Sequence, residues 1–243
     1  MTSSPVVVPT VEALHRLRAV GRTVGYNGIH IYLRYRAILK LIEGRRFRRV
    51  LSVGCGFGIF DRLLPPDLEY EGLDLGEAEI DFARAWADAE RPSYRYARER
   101  FLERDYDRGA FDLIILSEVL EHMPEEEVRA TLQRAVDLLE PGGHLLVTVP
   151  NRLHLRNRVR RLLGQPLVWM DPTHLREYRL VEARQMLGGL PVLLRRFEAA
   201  VLYFPYEARV ARALPAESPV REWITARVPS IASHFLMLAE KRA

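Results

Sequence analysis

Short, nearly unbroken apolar runs alternate along this chain with longer stretches of helical spacing, and that alternation predicts an α/β protein. Residues 50–53, 111–117 and 145–149 are almost wholly apolar. Strands buried on both faces of a parallel sheet read this way. Residues 70–74 and 93–97 are predicted as the second and third strands, and 192–202 and 233–241 as the last two. Helical spacing appears over 10–25 (Leu14, Leu17, Val20, Val24) and 29–43 (Ile29, Leu33, Ile38, Leu41, Ile42). It returns over 77–89, over 125–139 with apolar residues at 128, 132, 136 and 139, and over 180–187. A further helix is expected to begin at Gly58 and to stop at Pro65-Pro66. Residues 151–178 look irregular, and prolines 205, 215, 219 and 229 punctuate a helical insertion before the final strand.

The strand at 50–53 runs straight into Gly54-Cys55-Gly56-Phe57-Gly58. Glycines there let the backbone turn sharply and leave bare peptide groups for a ligand. Sixteen residues after Gly58, Asp74 ends the second strand, where a carboxylate can accept both hydroxyls of a ribose. The pair predicts a nucleoside site. Ile59 stands where the dinucleotide pattern G-x-G-x-x-G needs its last glycine, and no phosphate-loop motif occurs.

Four segments together resemble the class I S-adenosylmethionine (SAM) methyltransferases. They are 50–58, 71–74, Phe111 to His122 and Leu139 to Asn151. The resemblance implies a Rossmann-like sandwich with a seven-stranded, mostly parallel sheet whose last strand is antiparallel. It implies SAM as cofactor, held by Ser52, Gly54, Gly56, Gly58, Asp74, Leu75, Glu99, Ser117 and Glu118, with Arg98 beside Glu99. Ser52 departs from the family, which has an acid at that position to meet the methionine ammonium. A hydroxyl cannot offset that charge, so a non-catalytic SAM-binding protein is one alternative.

The string Glu118-Val119-Leu120-Glu121-His122 and the later Asp171-Pro172-Thr173-His174-Leu175-Arg176-Glu177-Tyr178 bear on the acceptor side. The second is similar to an element that follows the fifth strand in many small-molecule and sugar methyltransferases. His174 and His122 are the expected general bases. No metal is expected to be required. The alternative is a divalent cation held by Glu118, Glu121, His122 and His174, an arrangement similar to that of RNA 2′-O-methyltransferases and some ubiquinone-type O-methyltransferases. His15, His30, His144, His154 and His234 have no legible partner.

The expected function is SAM-dependent O-methylation of a small-molecule or carrier-linked acceptor, such as a sugar, a quinone-like phenol or a secondary metabolite. The alternative enzyme is a metal-dependent RNA 2′-O-methyltransferase. One domain is expected over 1–243: a helical cap at 10–45, a SAM-binding core at 46–190, and C-terminal strands with the helical insertion at 191–243.

Composition narrows this only slightly. Lysine and arginine total 36 against 32 acids, a net charge of +4, and Lys40 and Lys241 are the only lysines. Acids are dispersed among the arginines, so nucleic acid is not an expected partner. The exception is 152–161, where five arginines alternate with leucines and a valine. As a helix it would be basic and amphipathic, suited to a membrane surface or an anionic acceptor. The single cysteine, Cys55, permits no internal disulfide, and the first nine residues carry no charged leader. A cytoplasmic location is expected.

Overall fold

The computed structural model describes residues 6–7, 25–204 and 207–242. The helix expected over 10–25 lies outside these residues except for Gly25. Seven strands form the main sheet: β1 (Arg49–Val53), β2 (Glu69–Asp74), β3 (Tyr94–Arg98), β4 (Phe111–Ser117), β5 (Leu139–Pro150), β6 (Val192–Ala200) and β7 (His234–Lys241). Their spatial order is β3-β2-β1-β4-β5-β7-β6. β3 through β5 are parallel, and β7 runs antiparallel to both β5 and β6. Residues 6–7 and Arg46–Phe47 make a separate two-stranded pair.

Side-chain alternation divides the core into two layers. Leu113 and Ile115 of β4 face one side with Leu33, Ile38 and Ile42 of α1 (Gly25–Ile42) and Ile80 and Ala83 of α2 (Glu77–Glu90). Ile114 and Leu116 face the other side with Leu132 and Val136 of α3 (Glu125–Leu138). Three glutamates open α3, where they oppose the helix dipole. β4 is buried from Phe111 to Leu116, which explains its apolar run. Its one charge, Asp112, accepts the amide hydrogens of Arg48 (2.6 Å) and Arg49 (3.1 Å) and so fixes where β1 begins.

Two expectations need correction. After Gly58 the chain makes only a 3-10 turn, Asp61–Leu63. Gly58 has a left-handed φ of 65°, and Pro65-Pro66 follow too soon for a helix to repay its nucleation cost. Within 151–178, by contrast, there is a regular helix, α4 (Leu155–Leu162). α5 (Leu180–Gln185) then leads to β6, and α6 (Glu207–Ala213) and α7 (Pro219–Arg227) form the insertion before β7. Among the described residues no helix is long and apolar enough to cross a membrane.

The chain leaves β1 toward β2 on one side, and β4 flanks β1 on the other. The carboxyl ends of β1 and β4 therefore border the crevice where open α/β sheets bind ligands.

Candidate active site

The crevice begins where β1 ends. The amide hydrogens of Gly54 and Cys55 both reach the carbonyl of Leu73, at 2.7 and 3.0 Å, so the glycine turn lies across the end of β2. Gly54 has a φ of 70°, and a Cβ there would come within 2.8 Å of Cγ2 of Val119. Gly56 has a φ of 54° and nothing within 4 Å of where a Cβ would stand, so its bare backbone opens onto the cleft. Asp74 ties this turn to the next one. Its Oδ2 accepts the Gly56 amide hydrogen at 2.8 Å and its Oδ1 accepts that of Gly76 at 2.9 Å.

The cleft has a volume of about 700 Å³, within the range of small-molecule sites. Gly54, Gly56, Asp74, Leu75, Glu99 and Glu118 line it, as expected from the sequence. The other three predicted cofactor residues stand behind the wall. Ser52 is buried within the sheet, in register with Gly72 and Ile115. Gly58 backs the turn, where a Cβ would lie 3.0 Å from the Tyr96 hydroxyl. Ser117 turns its hydroxyl to Thr148, 3.0 Å away. The cleft also takes apolar walls from Phe57, Phe101, Leu102 and Met123, which no motif announced. Arg98 braces Leu75 by donating to its carbonyl at 3.2 Å.

Glu118 occupies the left-handed region with a φ of 55°. Non-glycine residues rarely take that conformation, and it gathers at functional sites. It turns the carboxylate inward, where Oε1 accepts from the Thr148 hydroxyl at 2.8 Å. Oε2 lies 3.2 Å from Nε2 of His234 and 3.3 Å from the guanidinium of Arg34. Burial opposes its charge, but His234, Arg34 and the hydrogen bonds outweigh that and hold it below the usual carboxylate range. His234, which had no legible partner in the sequence, is thus part of the site.

Glu121 is the opposite case. It is fully buried, and neither carboxylate oxygen has a hydrogen-bond partner among the described residues. Burial, with Glu118 nearby, pushes its pKa well above the ordinary carboxylate range. His122 and His174 flank it with ring centroids 4.9 Å apart. His174 Nδ1 lies 3.1 Å from Oε1 of the buried Glu177, and its Nε2 lies 3.9 Å from Oε1 of Glu121. A carboxylate can only accept, so the proton of a neutral His174 sits on Nδ1. His122 is oriented in the same sense. The Thr173 hydroxyl donates to Asp171 at 2.6 Å, so toward His122 Nδ1, 3.2 Å away, it acts as acceptor, as does the Thr173 carbonyl at 3.3 Å. Both imidazoles thereby keep a lone pair on Nε2. His122 is exposed and lines the cleft, whereas the His174 ring is almost buried behind it.

A strand order of this kind, opening a nucleoside-sized crevice at its switch point, is the architecture of SAM-dependent methyltransferase domains. Comparison with known proteins agrees. A methyltransferase domain family matches residues 28–189, more than half of the chain, and the chain belongs to that family. Its cofactor is SAM. Among curated proteins it is 33% identical over 119 residues to a ubiquinone biosynthesis O-methyltransferase of Shewanella pealeana, covering 48% of this chain and 49% of that one. It is 31% identical over 122 residues to the protein of the same name from Pectobacterium atrosepticum, covering 49% and 50%. The chain spans about half the length of the curated relatives it matches. Among solved structures, the N-methyltransferase NodS of Bradyrhizobium japonicum, in complex with S-adenosyl-L-homocysteine, superposes with a TM-score of 0.60 at 16% identity, covering 95% of this chain and 99% of that one. The YcgJ protein of Bacillus subtilis gives 0.58 at 19% identity, covering 86% and 98%. These two likenesses speak for the fold.

The donor set also meets the demands of a divalent cation. Glu121, His122 and His174 each offer one ligand atom, all within 4.8 Å of one another. The orphaned carboxylate oxygens of Glu121 are what a cation would satisfy, an argument that the sequence did not carry.

Proposed function

We propose that this chain transfers the methyl group of SAM to a hydroxyl oxygen of a small-molecule or carrier-linked acceptor. The observation that carries the proposal is His122, on the wall of the cofactor cleft with its Nε2 lone pair unspent. Asp74 uses one lone pair of each oxygen on the backbone and keeps the others for the ribose hydroxyls. The glycine turn admits the methionine end. Glu118, held ionised, supplies the negative charge that Ser52 lacks, facing the methionine ammonium. In the reaction the acceptor oxygen attacks the methyl carbon, the carbon–sulfur bond breaks, and its electron pair stays on sulfur. The acceptor proton passes to Nε2 of His122, so the positive charge of the sulfonium ends on an imidazolium. Positioning contributes most of the acceleration and proton removal the rest. His174 stands behind His122 and steadies it. The matched relatives, ubiquinone biosynthesis O-methyltransferases, support oxygen as the acceptor atom and a small phenol as the first acceptor to try.

A second form of the same reaction is favoured by the unpartnered Glu121. There Glu121, His122 and His174, with Glu118 adjacent, would hold a divalent cation. Such an ion, when bound, lowers the pKa of an acceptor hydroxyl.

Methyl transfer from labelled SAM, measured across phenols, catechols, sugars and a short RNA, tests the proposal. Transfer to oxygen of a small acceptor is expected. His122→Ala should lower turnover by roughly 10²–10⁴-fold, the usual contribution of a general base, with SAM affinity unchanged. Wild-type turnover in that variant, or transfer only to RNA, would overturn it.

A further inference from the structure

α4 and the turn after it stand apart from the rest of the surface. From Asn151 to Met170 the chain contains five arginines, 152, 156, 158, 160 and 161, and no acid. Elsewhere arginines are interspersed with acids and many pair with them, as Arg100 does with Glu127 and Arg195 with Glu240. Among the described residues Arg156, Arg158, Arg160 and Arg161 form no ion pair.

The helix is fixed in its orientation. Asn157 is fully buried and donates to the carbonyls of Arg152 (2.9 Å) and Val168 (2.8 Å), while its Oδ1 accepts from the Val168 amide at 3.1 Å. Arg158 and Arg160 direct Nε to backbone carbonyls, at 2.9 Å to Leu153 and 2.8 Å to Pro166. That arrangement leaves Arg156 and Arg161 exposed. It also leaves Leu162 86% exposed and Leu163 66% exposed, side by side at the helix end. Trp169 is 44% exposed, with the Arg152 guanidinium over its ring at 4.0 Å. Two adjacent leucines in water, an amphipathic tryptophan and unneutralised arginines make the composition of an interfacial helix. RNA binding would use the arginines and gain nothing from the leucines.

We infer that the end of α4, led by Leu162 and Leu163 and flanked by Arg156, Arg161 and Trp169, docks on an anionic lipid surface. The apolar tip enters the headgroup boundary while the guanidinium groups meet lipid phosphates. Charge complementarity selects the partner, because this arginine-rich segment without acids matches a bilayer rich in anionic headgroups. None of Arg156, Arg161, Leu162, Leu163 and Trp169 lines the cofactor cleft, and the inference does not depend on which atom is methylated.

Flotation of the full chain with vesicles of phosphatidylcholine containing phosphatidylglycerol, and of phosphatidylcholine alone, tests this. The anionic vesicles should carry the protein and the neutral ones should not. Trp169 emission should shift to the blue on binding, a change lost in Trp169→Phe. Leu162→Ser with Leu163→Ser should weaken binding about tenfold or more, because the tip then has little apolar surface to bury. Both leucines are exposed, so the melting temperature of that variant should match the wild type. Arg156→Glu with Arg161→Glu should weaken binding and flatten its salt dependence. Failure of the wild type to float at low salt would overturn the inference. So would flotation indifferent to the leucines, or competition by soluble RNA that the leucine changes leave untouched.

Discussion

Replacing Asp74 by Asn is a sharper test of the cofactor site than removing the carboxylate altogether. The two side chains have nearly the same shape. In the structure, however, both oxygens of Asp74 face backbone N–H groups, Gly56 at 2.8 Å and Gly76 at 2.9 Å. Asn has one acceptor oxygen. Its amide nitrogen must therefore point a donor at a donor, whichever way the group is turned. One turn is released, and one ribose hydroxyl loses its acceptor. A hydrogen bond to a charged group is worth about 1.5–3 kcal/mol. Losing one from the turn and one from the ribose gives about 3–6 kcal/mol before water is counted. The cleft is open, so water recovers part of this, and a weakening of about 10–10² in SAM affinity remains. Asp74→Ala should fall in the same range. Calorimetry with SAM and S-adenosyl-L-homocysteine measures it, with a thermal melt to confirm folding. Wild-type affinity in the folded Asn variant would show that the carboxylate neither anchors the glycine turn nor holds the ribose.

The cluster around Glu121 gives two further expectations. A divalent cation must displace the proton from Glu121, so titration with Mn²⁺ or Zn²⁺ should raise the melting temperature more at pH 8 than at pH 6; Glu121→Gln should abolish the shift, and a shift indifferent to pH or to that substitution would remove Glu121 from the site. Without a cation, the raised pKa of Glu121 means that the folded chain keeps a proton that the unfolded chain releases above the ordinary carboxylate range. Its contribution to stability is therefore fully present at low pH and is lost as pH rises toward the folded value. Glu121→Gln should melt higher than the chelated wild type at pH 8 and alike at pH 4, and parallel stability profiles would contradict this.

Much of the frame was legible because it rests on local pattern. β4 from 111 to 116 and β5 from 145 to 150 are buried on both faces, so their apolar runs could not be mistaken for surface, and the glycine turn and Asp74 are close in sequence. What the sequence hid is what distant segments bring together. One partner of Glu118 is His234, from β7, and nothing near residue 234 signals this. Glu177 carries no legible role in the sequence of the element containing His174, yet its carboxylate sets that ring's tautomer. Ser52 seemed a weakness in the ammonium site, but Glu118, left-handed at the end of the neighbouring strand, is available for the charge. The 58–64 helix failed because periodicity registers spacing, not the φ that Gly58 imposes. α4 was visible as an amphipathic pattern, but its orientation depends on Asn157, a polar residue that the hydrophobic pattern would have put outside.

The position of β7 bears on how the protein is made. It is the last of the described strands to leave the ribosome, yet it lies inside the sheet, paired on one side with β5 and on the other with β6. A nascent chain that has not yet exposed residues 234–241 presents two open strand edges, the surfaces most prone to pair with another molecule. It also lacks His234, so the Glu118 carboxylate is missing one of its close side-chain partners. Insertion of β7 and the arrival of His234 beside Glu118 are thus one event. Cofactor capture by ribosome-bound chains of increasing length should therefore appear abruptly, once β7 has cleared the exit tunnel.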